Sequence, residues 1–202
     1  MEYIIVVLVG YLVGTSSMSY YIGKLNGIEL NKNGSKNLGA SNTMALIGWK
    51  AGIIVAIHDI LKAVLAVVVL RMIFSDLYYV GELAGVSCIL GHIFPFYLGF
   101  KGGKGFVSYY GMALAIDWKF ALCLGIALIL ITVITDYIVL ATFTTMIAVP
   151  VYHGINHGLL AASIMMIASV VMLYKHRENI VRLCNGTEVG LRSANKGEHR
   201  IK

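Results

Sequence analysis

The chain has 202 residues, of which 58% are hydrophobic and only 13% are charged, and its formal net charge is +6. Its mean hydropathy is +0.81. A soluble domain of this length does not need so much apolar surface, whereas a bilayer requires long apolar runs. The composition therefore excludes an ordinary soluble protein and indicates an integral membrane protein.

Two other classes of protein are disfavoured by the composition. The modest positive charge is not interleaved with the aromatic side chains that stack on bases, which argues against nucleic acid as a partner. Cys88, Cys123 and Cys184 are odd in number, and their spacing suits neither a metal site nor a redox pair. We expect no metal and no cofactor.

Hydropathy divides the chain into apolar segments long enough to be membrane helices. We predict an all-α polytopic membrane protein with about seven transmembrane helices, forming a single domain over residues 1–202. The bundle would occupy residues 1–174 and a cytoplasmic segment residues 175–202. The predicted spans are 3–22, 46–73, 81–98, 106–118, 119–135, 138–151 and 158–174.

The basic residues predict the orientation of these spans. Most Lys and Arg side chains fall in loops on one side, whereas only Arg71 and Lys119 fall on the other. Because cytoplasmic loops are enriched in Lys and Arg, the N-terminus is expected outside and the C-terminus in the cytoplasm. This orientation brings three polar segments to the cytoplasmic face, at residues 24–43, 99–105 and 175–188. Polar groups at one interface favour an enzyme acting on a lipid substrate over a transporter, which would place them at mid-membrane.

The first polar segment (24–43) contains glycines, hydroxyls and amides ahead of the second predicted span. Ser41 or Asn42 is a candidate N-cap for that helix, and helix N-termini also attract anions. An ordinary capped loop and a phosphate site both fit this pattern. The candidate binding residues in this segment are Ser35, Lys36, Asn37, Gly39 and Asn42.

The second polar segment, here called the Lys–Gly loop (99–105), reads Gly-Phe-Lys-Gly-Gly-Lys-Gly. Glycines allow backbone N–H groups to converge on an anion, and lysines add the opposing charge. The loop lacks the Walker pattern, and a basic loop that only sets topology is the alternative. The span after it is short, so we expect the glycines to be buried in protein below the headgroups. The candidate residues are Lys101, Gly102, Gly103, Lys104 and Gly105.

The third polar segment, here called the tail segment (175–188), places His176 and Asn179 three residues apart. If the segment is helical, these two side chains share a face with Leu183. Its basic residues also suit simple binding to anionic lipid. Within the second span, His58, Asp59 and Lys62 are intramembrane polar residues, which are costly and functional by default. We expect a structural ion pair between Asp59 and Lys62, and a supporting role for His92 near the Lys–Gly loop.

Taken together, these motifs resemble the bacterial acyl-phosphate:glycerol-3-phosphate acyltransferases, and the likeness covers nearly the whole chain. The matching segments are Gly34–Asn42, Gly91–Pro95 with Phe100–Gly105, and His176–Glu188, and Asp59-x-x-Lys62 also fits. The resemblance implies a seven-helix fold in the bacterial plasma membrane with its active site facing the cytoplasm. It implies transfer of a fatty acyl group from acyl phosphate to the 1-hydroxyl of sn-glycerol 3-phosphate, which gives lysophosphatidic acid for phospholipid synthesis.

The resemblance also implies residue roles. Ser35 and Asn37 would surround the acyl phosphate, and Lys104 with Gly102 and Gly103 would bind the glycerol phosphate with support from Lys101. Ser35, Lys104, His176 and Asn179 are the candidate catalytic residues. Asp59, Lys62, His92 and Glu188 would support them, with Glu188 bracing the tail segment.

The chain departs from the family pattern at several positions. Ala45 stands where the family usually has an arginine, Lys36 where glycine is common, and Ser16-Ser17 where Ile-Pro is usual. Two alternative functions stay open, the first because of these departures and the second because of the polar His58, Asp59 and Lys62 within the second span. One is a non-catalytic or substrate-shifted paralogue that binds lipid phosphates, and the other is a small transporter for phosphorylated metabolites.

Overall fold

The structure is a computed structural model that describes residues 1–192. No strand occurs in that part of the chain, and its regular structure is helical. The helices are α1 Glu2–Thr15, α2 Met18–Leu25, α3 Ala40–Leu46, α4 Trp49–Ile73, α5 Val80–Ile93, α6 Phe106–Ile116, α7 Trp118–Thr135, α8 Ile138–His157, α9 Leu159–Lys175 and α10 Arg177–Cys184. The predicted cytoplasmic segment continues through residues 193–202, which lie outside the described residues.

The all-helical membrane class is confirmed. Among the described residues, 5 helical segments are long and apolar enough to cross a membrane, or up to 6 if α9 and α10, bent by 54°, form one span. Helix α6 was predicted as a span over 106–118, but it has only 11 residues. At 1.5 Å per residue it is about 17 Å long, shorter than the hydrocarbon core.

The first and the sixth predicted spans differ from the helices in the structure. The first, predicted over 3–22, is one candidate span over Glu2–Leu25, but it is broken between α1 and α2, and the Ser17 side chain caps α2 by accepting from the Tyr20 N–H. The sixth, predicted to end at 151, runs to His157 with Pro150 inside the helix. Proline is tolerated in membrane helices because neighbouring groups satisfy the freed backbone.

The chain divides into two compact units, Met1–Ile116 and Asp117–Lys202. In the first unit α1 packs on α5, and α4 packs on α3, α5 and α6. Glycines permit the α1–α5 contact: a Cβ on Gly14 would lie 2.0 Å from the carbonyl oxygen of Cys88. The Tyr11 hydroxyl donates to the Phe94 carbonyl at 2.7 Å and ties the two helices at one end.

In the second unit α8 packs between α7 and α9. Asp117, predicted as part of an interfacial turn, is the N-cap of α7 and accepts from the N–H groups of Lys119 and Phe120. The hydroxyl of Tyr152 also donates to this carboxylate, and these hydrogen bonds hold the pKa of Asp117 below its usual value. The start of α7 is thereby fixed to α8.

The α1–α5 contact predicts the effect of one methyl group. Gly14→Ala places a Cβ against backbone, which cannot rotate away, so we expect overpacking to cost about 1–3 kcal/mol. Thermal unfolding of the purified protein in detergent should show a midpoint several degrees below wild type. The matched control is Gly154→Ala in α8, whose Cβ meets only the Ala162 methyl, at 3.1 Å. Its midpoint should stay close to wild type, and an equal loss in both variants would contradict the packing account.

Candidate functional site

A buried lysine lies at the centre of the first unit. The Lys62 ammonium is 2.8 Å from Asp59 Oδ1, 2.8 Å from the Ser16 carbonyl oxygen and 2.8 Å from His92 Nδ1. An ammonium group has three donors, so these acceptors satisfy all of them. The predicted Asp59–Lys62 ion pair is therefore present, and His92 is a third partner that sequence spacing did not indicate.

The contact with Lys62 sets the proton position on His92. Because an ammonium can only donate, Nδ1 is an acceptor and the ring proton lies on Nε2. Nε2 faces the Lys–Gly loop: a Cβ on Gly103 would lie 2.0 Å from it. The sequence-based expectation of a supporting role for His92 near this loop agrees with this position.

The Lys–Gly loop is folded back onto the end of α5. The Gly103 N–H donates to the His92 carbonyl at 3.1 Å, and the Gly102 N–H donates to the Ile93 carbonyl at 3.0 Å. The expectation that the loop's N–H groups converge on an anion is therefore wrong for these two glycines, because their donors are already used. Glycine is needed for close approach instead, since a Cβ on Gly102 would lie 2.0 Å from the His92 carbonyl oxygen.

The burial of this loop agrees with the expectation drawn from the short helix that follows it. Gly102, Gly103 and Gly105 are buried, Lys104 is half-buried and Lys101 is exposed. Bare backbone that lies near the hydrocarbon must be covered by protein, and here the end of α5 covers it. The loop thus presents lysine side chains from a fixed backbone.

Asn42 organises the first polar segment from inside α3. Its Oδ1 accepts from the Ser35 N–H at 2.9 Å, and its Nδ2 donates to the carbonyls of Leu30 at 3.0 Å and Asn33 at 3.2 Å. The prediction that Ser41 or Asn42 caps the helix of the second span is wrong: the N-cap of that helix, α4, is Gly48, and both predicted residues lie inside α3. Asn42 instead holds the turn that precedes α3.

That turn presents Ser35 and Lys36 at the surface, and Asn37 is half-buried beside them. Lys36 has a φ of 56°, in the left-handed region that favours glycine. Lys36 therefore holds a backbone conformation that glycine would adopt without strain. The three side chains are accessible to a ligand.

The first polar segment and the Lys–Gly loop meet. A Cβ on Gly103 would lie 2.7 Å from the Leu38 carbonyl oxygen, so the two backbones are in direct contact. Leu38 is buried, and Gly39 beside it begins α3. Ser35, Asn37 and the lysines of the loop therefore belong to one region of the first unit.

The tail segment lies in the second unit and has its own hydrogen-bond network. Glu188 accepts from Asn179 Nδ2 at 2.8 Å and from Arg182 Nε at 2.9 Å. The carboxylate thus braces α10, in agreement with the sequence-based expectation. The segment is helical on either side of His176, which is the buried residue at the bend between α9 and α10, and its Nδ1 donates to the Met172 carbonyl at 2.7 Å.

Sequence reasoning missed a cleft in the first unit. It has a volume of about 610 Å³ and is lined mostly by apolar side chains of α1 and α4, with Ser16, His58 and Lys62 among its lining residues. Ser16 Oγ lies 3.0 Å from His58 Nε2. The two residues are 42 positions apart, and the only signal in the sequence was that each is polar within an apolar run.

In residues 1–192, no group of three or more His, Cys, Asp or Glu side chains is placed to hold a metal ion.

Comparison with known proteins agrees with this description. The sequence model of a family described as glycerol-3-phosphate acyltransferase matches residues 4–186. Glycerol-3-phosphate acyltransferase 1 of Oceanobacillus iheyensis is 38% identical over 201 residues, which cover 96% of this chain and 97% of that protein. Glycerol-3-phosphate acyltransferase of Bacillus subtilis is 31% identical over 185 residues, covering 91% of this chain and 95% of that protein.

Two solved structures have the same fold. Both are of PlsY, an integral membrane glycerol 3-phosphate acyltransferase. The glycerol 3-phosphate form has a TM-score of 0.87 at 29% identity, covering 95% of this chain and 96% of that one. The lysophosphatidic acid form has a TM-score of 0.85 at 28% identity, covering 96% of this chain and 97% of that one. The resemblance predicted from the sequence is confirmed: this chain belongs to the glycerol-3-phosphate acyltransferase family.

Proposed function

We propose that this chain transfers a fatty acyl group from acyl phosphate to the 1-hydroxyl of sn-glycerol 3-phosphate and so produces lysophosphatidic acid for phospholipid synthesis. The observation that carries the proposal is the contact between the first polar segment and the Lys–Gly loop beside the buried Lys62–His92 pair. This arrangement places cationic and hydroxyl side chains on a rigid backbone inside a membrane protein, where a phosphorylated amphiphile would be held.

The acceptor and the product follow from the relatives. PlsY has been crystallised in a glycerol 3-phosphate form and in a lysophosphatidic acid form, which are the acceptor and the acylated product of this reaction. This chain shares the fold of that protein over nearly its full length. The same acceptor and product are therefore the first to test here.

The donor is proposed from chemistry. Acyl phosphate is a mixed anhydride, so its acyl carbon is already activated and its phosphate oxygens can accept the proton of the attacking hydroxyl. The enzyme then has to orient the two phosphorylated molecules and stabilise developing negative charge. Side chains such as Lys104 and Ser35 suit that task, because neither has to act as a general base.

We assign the residues to the donor phosphate, to the acceptor phosphate or to the orientation of substrate. Ser35, Lys36 and Asn37 would contact the donor phosphate, with Gly39 and Asn42 shaping the turn that holds them. Lys104, supported by Lys101, would contact the acceptor phosphate, while Gly102, Gly103 and Gly105 keep the loop against α5. His176 and Asn179 would orient substrate, since the His176 ring and the braced Asn179 amide are both fixed by hydrogen bonds.

We also propose the topology predicted from charge. Helix α6 would cross as a short span, so that the chain spans a bacterial plasma membrane seven times with its N-terminus outside and its C-terminus in the cytoplasm. Residues 1–202 would act as one acyltransferase domain whose active site faces the cytoplasm. The proposed topology is supported by the concentration of Lys and Arg in residues 24–43, 99–105 and 175–202 of the sequence.

The activity is tested with purified protein, acyl phosphate and labelled glycerol 3-phosphate, with lysophosphatidic acid as the readout. Lys104→Ala removes a charged partner of a phosphate, and hydrogen bonds to charged groups contribute about 1.5–3 kcal/mol. We therefore expect kcat/KM to fall about 10- to 100-fold. The kcat/KM of Ser35→Ala should also fall below that of wild type.

The matched control is Lys32→Ala, which removes an exposed lysine of the first polar segment that forms an exposed ion pair with Glu29 at 2.6 Å. It should retain wild-type kcat/KM. A wild-type protein that forms no lysophosphatidic acid would refute the proposed function. Undiminished transfer by Lys104→Ala would remove that residue from the site.

The topology is tested by labelling single cysteines on intact cells with a membrane-impermeant maleimide, in a background without the native cysteines. Exposed positions on the two faces are replaced one at a time: Glu2, Lys32, Asp76 and Glu178. Glu2→Cys and Asp76→Cys should react from outside, whereas Lys32→Cys and Glu178→Cys should react only after permeabilisation. Reaction of Glu178→Cys on intact cells would show that α6 does not cross.

A further inference from the structure

Ser16 and His58, which the proposed acyl transfer does not use, form a chain of contacts with Asp59 in the first unit. Ser16 Oγ is 3.0 Å from His58 Nε2, and His58 Nδ1 is 3.4 Å from Asp59 Oδ1. A hydroxyl, an imidazole and a carboxylate in this order are the parts of a nucleophilic triad, which is recognised by geometry and not by sequence position. Serine lies at the break between α1 and α2, whereas histidine and aspartate lie on α4.

The hydroxyl and the imidazole open onto an apolar cleft. The cleft has a volume of about 610 Å³, within the range of about 300–1,000 Å³ usual for small-molecule sites. Its apolar wall includes Leu12, Val13, Ile54 and Ile57. The His58 side chain is 20% exposed, while that of Asp59 is 3% exposed. A hydrocarbon chain in the cleft would bring a carbonyl group at its end to Ser16.

We propose that Ser16, His58 and Asp59 form a second catalytic centre that hydrolyses activated single-chain acyl compounds such as acyl phosphates or acyl thioesters. This activity is separate from acyl transfer to glycerol 3-phosphate and does not depend on it. Its substrate class follows from the apolar lining of the cleft, which suits a hydrocarbon chain, and from the carboxylate shared with Lys62, which makes an activated acyl carbon the better match for a weak base.

The reaction has two steps. In the first step, Ser16 Oγ attacks the acyl carbon while its proton passes to His58 Nε2. The bond between the acyl carbon and the phosphate oxygen or thioester sulfur then breaks, and the leaving group departs with the proton that His58 returns. Water then attacks the acyl-serine ester, gives one proton to His58, and the serine oxygen leaves and recovers that proton. The products are a fatty acid and phosphate or a thiol.

Lys62 shapes this centre in two ways. Its ammonium binds the Ser16 carbonyl at 2.8 Å and thereby fixes the backbone that carries the nucleophile. It also shares Asp59 Oδ1, at 2.8 Å, so the carboxylate orients His58 while part of its charge is neutralised. A neutralised carboxylate stabilises an imidazolium less, and the centre is accordingly a slow hydrolase.

The direct test uses a covalent label for the serine nucleophile. Wild-type protein in detergent is treated with a fluorophosphonate that carries a long alkyl chain, a reagent class that modifies nucleophilic serine hydroxyls, and the modified peptide is identified by mass spectrometry. We expect modification of Ser16. His58→Gln should slow it about 100-fold or more, in line with the contribution of a general base. Ser17→Ala, which removes the neighbouring hydroxyl, is the matched control and should still be modified.

Absence of modification at Ser16, or modification at Ser35 instead, would overturn the proposal. This outcome would mean that the Ser16–His58 contact only ties α1 to α4. Because the label is read on wild-type protein, the result does not depend on whether a variant folds.

The activity itself is measured with acyl phosphate in the absence of glycerol 3-phosphate, after subtraction of the protein-free rate. Wild type should release fatty acid, and Ser16→Ala should lose about tenfold or more of that rate while it still forms lysophosphatidic acid when the acceptor is added. Equal fatty-acid release by wild type and Ser16→Ala would refute the triad and leave the proposed acyl transfer standing. Modified Ser16 in a protein that makes no lysophosphatidic acid would support the triad and refute the acyl transfer.

Discussion

The Lys62 ammonium is the interaction on which the first unit depends. A buried charge is tolerated only when it is paired and fully hydrogen-bonded, and Lys62 achieves this with one acceptor from each of three helical elements. The acceptors are the Asp59 carboxylate on its own helix, the Ser16 carbonyl at the end of α1 and the His92 ring on α5. One side chain thus fixes the break in the first span, the orientation of the buried carboxylate and the tautomer of a histidine.

His92 connects Lys62 to the Lys–Gly loop. Its ring is held by Lys62, and its carbonyl receives the Gly103 N–H. Because Gly103 also contacts the Leu38 carbonyl, the first polar segment is positioned against the same glycine. A charge at membrane depth is therefore connected by direct contacts to the segments that we propose hold the substrate phosphates. The rigidity of this path suits a reaction that depends on orientation.

Local rules predicted the parts of this arrangement that lie close in sequence. The Asp59–Lys62 pair follows from the three-residue spacing on a helix and from the cost of intramembrane charge. The third partner, His92, is 30 positions from Lys62, and only the packing of α4 on α5 brings it there. Asn42 was predicted as a cap because Asn suits that position, but its amide satisfies buried backbone groups of the preceding turn instead. Neither the contact of His92 with Lys62 nor the hydrogen bonds of the Asn42 amide can be predicted without the tertiary structure.

The most direct measurement of the central claim compares Lys62→Met with the double variant Asp59→Asn/Lys62→Met. The single variant leaves the buried Asp59 carboxylate without its ammonium partner, which should cost about 3–5 kcal/mol of unfolding free energy, and the double variant should recover most of it. Since His92 lacks its donor in both proteins, we expect kcat/KM for acyl transfer to stay about tenfold or more below wild type in the double variant. A double variant that regains both stability and wild-type kcat/KM would contradict the claim that Lys62 positions the Lys–Gly loop through His92.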